Sequence, residues 1–380
     1  MTFLPRVGVV GAGQLARMMA EEADDAGVSL VLLASSRDDC AVPLVDDVHL
    51  GQATSLDALR ELASHCDVIT FDHELVSLPA LQALEAEGVT VRPSSFTLAH
   101  SVNKAVARDA FASWGLPVPR FLVLDAENPS AVDEFLDLVG DTPVVKAATG
   151  GYDGRGVLFP DSRDETHQMV RDLLTNGTVV LEERVTLLAE VAQMVVRGVT
   201  GDLVTYPLVT TIQADGMCNE VQFPCALDEA IHAQAEHLTT AIAQAIDLVG
   251  VMAVEYFVTP EGLVINEIAL RPHNSGHWTI EGCATSQFVN HLLAVTGQGL
   301  GPTTPLADAV VMVNVVGADA PGSVAAAEGI DGAAVHDYGK SWRPGRKLGH
   351  VTVLGDDVAS AKVTAWESAR AYGTSTKETL

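Results

Sequence analysis

The sequence predicts a mixed α/β and α+β protein: a parallel α/β unit first, a larger α+β unit next, and a small β-rich tail. Three observations lead there. Residues 6–34 read strand, glycine turn, helix, strand, which implies a parallel sheet with right-handed crossovers. Strand-like segments crowd the stretch 143–268 and end in a hairpin across Thr259-Pro-Glu-Gly262. Short apolar runs at 309–315, 333–338 and 348–354 precede one last helix from about residue 357.

Taken in order, Arg6-Val-Gly-Val-Val10 is a buried-type strand, and a helical run follows Gly11 as far as Ala26. Residues 28–34 are a second strand, 56–65 a helix, 67–71 a strand, 78–87 a helix and 89–91 a strand. The first unit closes near Arg92-Pro93-Ser94-Ser95. A helix over 101–113 leads to the prolines Pro117 and Pro119, which mark a loop. Strand 120–124, helix 130–139 and strand 143–147 follow, then strands at 155–160, 178–184, 189–199 and 203–210. An amphipathic helix spans 228–248, strands 251–258 and 262–268 form the hairpin, and helix 285–295 closes the unit. Thr296-Gly-Gln-Gly-Leu-Gly-Pro302 is a linker.

Composition limits the partners. The chain has 380 residues and 48% apolar content, with no run as long as a membrane helix, so a soluble multi-domain protein is expected. A net charge of −28 opposes nucleic acid and anionic membrane. Five scattered cysteines and no secretory start point to a reduced, cytoplasmic setting without disulfides or a cysteine zinc site. Against that charge, Lys340, Arg343, Arg346 and Lys347 gather four of the 22 basic residues into one short segment, so an anion such as phosphate is the expected partner.

The chemistry-bearing motifs follow. Gly11-Ala-Gly-Gln-Leu-Ala16 fits a dinucleotide fingerprint, but the second strand ends Leu33-Ala34-Ser35-Ser36 without the acid that holds a nicotinamide ribose. A tight packing turn or a substrate-phosphate site are the other readings. Gly150-Gly-Tyr-Asp-Gly-Arg-Gly156 lacks the Gly-Lys-Ser/Thr and following helix of a Walker loop; it reads as a hairpin folding over phosphates, with Lys146 as a point charge beside it. With the turn centred on Glu261, Glu255 faces Glu267 across the hairpin. Opposed carboxylates in apolar strands call for a counter-ion, and hard oxygen ligands suit magnesium bridging to phosphates; a carboxyl pair sharing a proton is the plain alternative. Glu182 and Glu190 taken alone are solvated acids, and His73 and Glu74 stand at the carboxyl end of a strand, where open sheets bind ligands. The richest stretch is Asn266-Glu-Ile-Ala-Leu-Arg-Pro-His-Asn-Ser-Gly-His277, where an acid, a guanidinium and two imidazoles follow a buried strand.

Together, Lys146 with its glycine hairpin, Ala-Val-Glu255, Asn266-Glu267, the Arg271–His277 stretch and Arg343-Pro-Gly-Arg-Lys-Leu-Gly-His-Val351 resemble the ATP-grasp superfamily. Within it they resemble the 5-(carboxyamino)imidazole ribonucleotide synthase family, from residue 6 to about 355. The resemblance implies an ATP-grasp fold with an N-terminal Rossmann-like domain (1–98), a two-lobed ATP-grasp domain (99–300) and a small C-terminal β-rich domain (301–380). It implies an ATP-dependent carbon–nitrogen ligase of purine biosynthesis. Bicarbonate would be phosphorylated to carboxyphosphate, and 5-aminoimidazole ribonucleotide would take the carboxyl group. It assigns ATP to Lys104, Lys146, the lid residues Gly151, Tyr152, Asp153, Gly154, Arg155, Gly156 and Val157, the hinge residues Glu182, Glu183, Arg184 and Val185, and Glu190, Gln213, Asn266 and Glu267. Magnesium (or manganese) falls to Glu255 and Glu267, and the reacting groups to Arg271, His273 and Asn274, with His273 handling a proton. Tyr152, Asp153, Arg155, Gln14, Lys340, Arg346 and Lys347 would bind the ribonucleotide. A homodimer is implied by the family alone. The sequence departs from the family pattern at Lys104 (commonly Arg), Gln213 (often His), Leu270 (often Pro) and Asp72 (often Glu). The rivals are another ATP-grasp ligase such as a formate-dependent ribonucleotide transformylase, a nicotinamide dehydrogenase and a non-catalytic binding module.

Overall fold

The computed structural model describes residues 4–125, 128, 131–150, 156–214 and 216–376; the lid residues Gly151, Tyr152, Asp153, Gly154 and Arg155 lie outside the described residues. The first unit is β1 (Arg6–Val10), α1 (Gln14–Glu21), β2 (Ser29–Ala34), β3 (Asp47–Leu50), α2 (Leu56–Ala63), β4 (Val68–Phe71) and α3 (Leu78–Ala86). Its four strands are parallel in the order β3-β2-β1-β4. The central strands are almost wholly apolar because both faces are covered. Val31 and Leu33 pack toward α2 and α3, while Val9 and Leu32 pack toward α1. Ser55 and Ser77 start α2 and α3 by accepting from Ala58 N and Ala80 N. Helix α1 stops at Glu21, short of the expected Ala26, and residues 89–91 give a single bridge, Val91 to Ile69, in place of a strand.

The helix expected over 101–113 is two helices, α4 (Ser95–Val102) and α5 (Lys104–Ser113). Asn103 separates them: its backbone is extended and its side chain accepts from Ala105 N and Val106 N. The break sets Lys104 at the first position of α5 and Arg108 one turn on. A second sheet, order β5-β8-β6-β7, comes from β5 (Phe121–Leu124), β6 (Val144–Ala147), β7 (Val157–Leu158) and β8 (Val179–Glu182). Helices α6 (Ala131–Val139) and α7 (Arg163–Leu174) pack on it. Sequence reading missed α7 because it buries only Thr166 and Val170, too thin an apolar face to leave a periodic signal.

The third sheet carries most of the remaining chain. Its members are β9 (Ala189–Arg197), β10 (Leu203–Thr205), β11 (Val209–Ala214), β12 (Met217–Phe223), β13 (Gly250–Thr259), β14 (Gly262–Ala269), β15 (Ala309–Val316), β16 (Ala333–Asp337) and β17 (Lys347–Gly355). The order is β14-β13-β9-β11-β12-β15-β17-β16, with β10 beside β9. The run 203–210, read as one strand, is broken at Tyr206-Pro207 into β10 and the start of β11, since proline cannot donate to a ladder. Strand β12 was unforeseen because Asn219, Glu220 and Gln222 disguise it; Asn219 and Glu220 are nevertheless buried. Helices α8 (Glu229–Ala245), α9 (Thr279–Gly282), α10 (Gln287–Thr296), α11 (Val324–Glu328) and α12 (Val358–Tyr372) complete the fold. Phe288 and Leu292 of α10 reach the same core as α1 and β2, joining the third sheet's surroundings to the first.

Candidate active site

The acid pair is built by three neighbouring strands. Glu255 on β13 lies directly opposite Glu267 on β14, as expected from the hairpin, but the route to that register differs. The turn closes with Thr259 opposite Gly262, which alone would set Glu255 against Asn266. A β-bulge between Tyr256 and Glu255 inserts Asn266 as an extra residue and restores the facing acids. On the other side Glu255 opposes Ala192, and Glu190 opposes Phe257, so the alternation of side chains puts Glu190 on the same face as both acids. Burial pushes the Glu255 carboxyl above its usual range, and the charges of Glu267 and Glu190 push it further. Lys347 and Arg271 act in the opposite sense. Burial also raises Glu190.

The loop after β14 leans over this pair. His273 brings Nε2 to 4.0 Å from Glu255 Oε1, and its Nδ1 is 2.9 Å from Ser275 Oγ. Gln287, fully buried at the start of α10, clamps the loop: Oε1 accepts from His273 N at 2.8 Å, and Nε2 donates to His273 O at 2.8 Å. Nε2 also lies 3.1 Å from His277 Nδ1. Arg271 Nε stands 3.8 Å from Glu74 Oε1, the carboxylate that accepts from Leu270 N at 2.9 Å. Arg271 Nε and Asn274 Oδ1 are buried without a hydrogen-bond partner among the described residues. One donor and one acceptor left open beside three acids are what a bound polar ligand satisfies.

Behind the acids lies a buried ion cluster. Glu182 Oε2 receives Lys146 Nζ at 2.7 Å, and Glu182 Oε1 receives Arg108 Nε at 2.7 Å. Burial works to raise the Glu182 carboxyl, but Arg108 and Lys146 overcome it and hold it down at about 2. Burial lowers Lys146, against the pull of Glu182; we take the cluster as ionised, because two cations share one carboxylate. Arg108 Nη2 also donates to Asn266 O at 2.6 Å, so one guanidinium ties the second sheet to the bulge that registers the acid pair. Lys104 N donates to Ala148 O at 2.8 Å, which fixes α5 against the end of β6. Val157 pairs with Lys146, and Ala147 N donates to Gly156 O at 2.9 Å.

The other expected nucleotide contacts are placed less uniformly. The Glu182 side chain faces its two cations, Glu183 Oε1 accepts from Arg120 N at 2.8 Å, and Arg184 Nη2 donates to Pro160 O at 2.7 Å. Val185 is half-buried just past β8, and Gln213 is half-buried on β11, two residues beyond Thr211, which opposes Glu190.

The basic segment meets the first glycine turn. Lys340 Nζ donates to Gln14 Oε1 at 2.5 Å and lies 5.4 Å from the Tyr338 ring centre. Burial lowers the Lys340 ammonium. Lys347 opens β17, opposite Val316, and its charge is felt at Glu255. Arg346 is half-buried and donates from Nη1 to Ser341 Oγ at 2.8 Å. The glycine turn itself is already satisfied: the Asp72 carboxylate accepts from Gly13 N at 2.5 Å and from Leu15 N and Ala16 N at 3.0 Å each. That internal anion explains the fingerprint-like glycines without a dinucleotide, since it fills the place a pyrophosphate would take. Sequence reasoning passed over Arg108, Gln287 and this role of Asp72. The spacing of Arg108 from Lys104, one helical turn on the same face, was the available signal.

Comparison with known proteins agrees with this geometry. A ribonucleotide synthetase preATP-grasp domain model matches residues 4–101, an ATP-grasp domain model matches 109–288, and a phosphoribosylaminoimidazole carboxylase C-terminal domain model matches 310–364. The N5-carboxyaminoimidazole ribonucleotide synthase of Mycobacterium tuberculosis is 43% identical over 365 residues, covering 93% of this chain and 85% of the relative. That of Synechocystis is 38% identical and covers 96% of each chain. Among solved structures, the synthetase of Thermus thermophilus superposes with a TM-score of 0.89 at 32% identity, covering 98% of this chain and 100% of the other. The Aspergillus clavatus enzyme in complex with ADP and 5-aminoimidazole ribonucleotide gives 0.88 at 29% identity, covering 98% and 99%. With facing acids, a buried lysine behind them and relatives matched along nearly its whole length, the chain belongs to the N5-carboxyaminoimidazole ribonucleotide synthase family of ATP-grasp ligases.

Proposed function

We infer that this chain is an ATP-dependent carbon–nitrogen ligase that carboxylates the amine of 5-aminoimidazole ribonucleotide during purine biosynthesis, with bicarbonate as the carbon source. The observation that carries the reading is the Glu255–Glu267 pair, with Lys146 behind it and Lys347 near enough to act on it. ATP supplies the driving force. A bicarbonate oxygen attacks the γ-phosphorus, the bond to ADP breaks, and carboxyphosphate forms. The amine nitrogen then attacks the carboxyl carbon, phosphate leaves, and the nitrogen sheds a proton.

The residues divide that work as follows. Lys146 and Lys104 meet the phosphates, with residues 182–185 along the adenine and Glu190 at the ribose. Gln213 and Asn266 complete the nucleotide contacts, and Gly151–Val157 cover them. Glu255 and Glu267 fit a hard divalent cation, magnesium or manganese: burial and two like charges leave Glu255 reluctant to ionise until a cation arrives. When bound, that ion neutralises charge on the transferring phosphoryl group. Arg271 and Asn274 hold the bicarbonate through the polar atoms they leave open. His273, oriented by Ser275 and clamped by Gln287, takes the amine proton. Lys340, Arg346 and Lys347 bind the ribonucleotide phosphate, with Gln14 at its edge and Tyr152, Asp153 and Arg155 toward the imidazole. The enzyme works as a homodimer, which light scattering tests. A reducing, cytoplasmic setting accords with its five unpaired cysteines.

The test is phosphate release from ATP, measured with and without bicarbonate and the aminoimidazole ribonucleotide. Strong stimulation by the two together is expected. Stimulation by formate in place of bicarbonate would transfer the chain to the transformylase reading, and indifference to the ribonucleotide would remove the assigned acceptor.

A further inference from the structure

A second group of ligating side chains lies on β3 and α2, elements that contribute nothing to the site above. Asp47 and His49 alternate on β3, and Glu61 and His65 project from the last turn of α2 and the turn after it. The His49 and His65 rings stand 4.3 Å apart, centre to centre. His49 Nε2 is 3.1 Å from Asp47 Oδ1, and its Nδ1 is 3.8 Å from Glu61 Oε1. His65 Nε2 is 3.4 Å from the same Glu61 oxygen. One donor atom from each of Asp47, His49 and His65 lies within 4.8 Å of the others.

We propose that Asp47, His49 and His65, with Glu61 as a fourth donor, bind one first-row transition-metal ion, zinc(II) being the best fit. A tetrahedral zinc with bonds of about 2.0–2.1 Å sets its donors about 3.4 Å apart. Asp47, His49 and His65 have donors within 4.8 Å of one another, while Glu61 faces the other ring nitrogen of His49, so the side chains must turn inward to close on one ion. Two imidazoles with two carboxylates select zinc, cobalt or nickel over magnesium, which prefers an all-oxygen shell. The guanidinium of Arg6 holds the second oxygen of Asp47, so that carboxylate is oriented from behind as metal-ligating carboxylates are. The net charge of −28 favours any cation. A metal here would clip the edge strand β3 to α2. Without one, the same contacts are two imidazoles resting between two carboxylates.

The experiment is a zinc(II) titration of the full chain by calorimetry, with saturating magnesium present so that the acid pair does not compete. One zinc per chain is expected. His49→Ala and His65→Ala should each weaken it more than about a hundredfold, and Arg6→Ala by about tenfold, the order of loss seen when an outer partner of a ligand is removed. Magnesium-supported ATP turnover without zinc should be the same in all three variants. Proton NMR of the wild-type chain gives a second readout: zinc should shift two histidine ring signals and no others, and the spectra of His49→Ala and His65→Ala assign them. No uptake by the wild type, equal uptake by both histidine variants, or shifts confined to other histidines would overturn the proposal.

Discussion

Three things oppose a charge on Glu255: it is buried, Glu267 faces it and Glu190 shares its side of the sheet. Its carboxyl is therefore raised above the ordinary value of 4.5. Between that value and the raised one, the folded chain keeps a proton that the unfolded chain has lost, so stability falls as pH rises through the window. Thermal melts of the metal-free protein should show this decline, and Glu255→Gln should reduce the slope. Magnesium with ATP should reduce it too, by supplying the missing positive charge. Glu267→Gln should relieve Glu255 yet lower turnover by about a hundredfold or more, a loss typical of removing one electrostatic element from a reaction centre; phosphate-release assays at saturating ATP check it, and an active variant would undo the metal assignment. The facing acids were reached from the sequence through a turn centred on Glu261, which gives the right pair although the real turn closes one residue differently and the bulge makes up the difference. The bulge at Asn266 was not, since a one-residue insertion leaves no compositional trace. Arg108 was equally hidden: an arginine on a helix is usually solvated, and its partner Glu182 lies 74 positions away.

Among the elements, α5 does more than support Lys104. Arg108 is only 3% exposed and joins β8 to the bulge of β14, two strands from different sheets. Arg108→Met removes one of the two cations on Glu182 and leaves Asn266 O without that donor. A loss of about 3–5 kcal/mol is expected, as for a broken buried ion pair, with a raised KM for ATP; Arg108→Lys should lose less. Urea unfolding and ATP kinetics read the two effects separately. Element legibility followed the strength of the apolar pattern. β1, β2 and β4 of the first sheet and the hairpin β13–β14 were found nearly to the residue because burial makes them almost continuously apolar, whereas the edge strand β3, which buries no residue fully, was not foreseen. α7 and β12 were missed for opposite reasons. α7 buries too little to show a stripe. β12 buries polar groups that are satisfied only in three dimensions: the Glu220 carboxylate accepts from Trp366 Nε1 at 2.6 Å, and the Cys218 carbonyl accepts from Asn314 Nδ2 of β15 at 2.9 Å.

Across the whole molecule there are three sheets, but not one for each expected unit: residues 121–269 build the second sheet and most of the third, and the tail strands β15, β16 and β17 extend that third sheet. Recognition of the family came from the motifs, but the way the tail attaches did not. β15 pairs with β12 through Val313–Glu220, Met312–Val221, Val311–Gln222 and Val310–Phe223. Lys347, one of the cations acting on Glu255, sits on β17, the next strand but one after β12. A gene shortened to stop near Gly301 would strip β12 of its neighbour and leave Glu220 without its indole. The bare strand would then offer unpaired amides and carbonyls to any passing chain. Such a fragment should precipitate on expression, and supplying residues 302–380 as a separate polypeptide should return it to the supernatant. Solubility of this enzyme is in that sense written into its final eighty or so residues, although nearly all its chemistry is encoded before them.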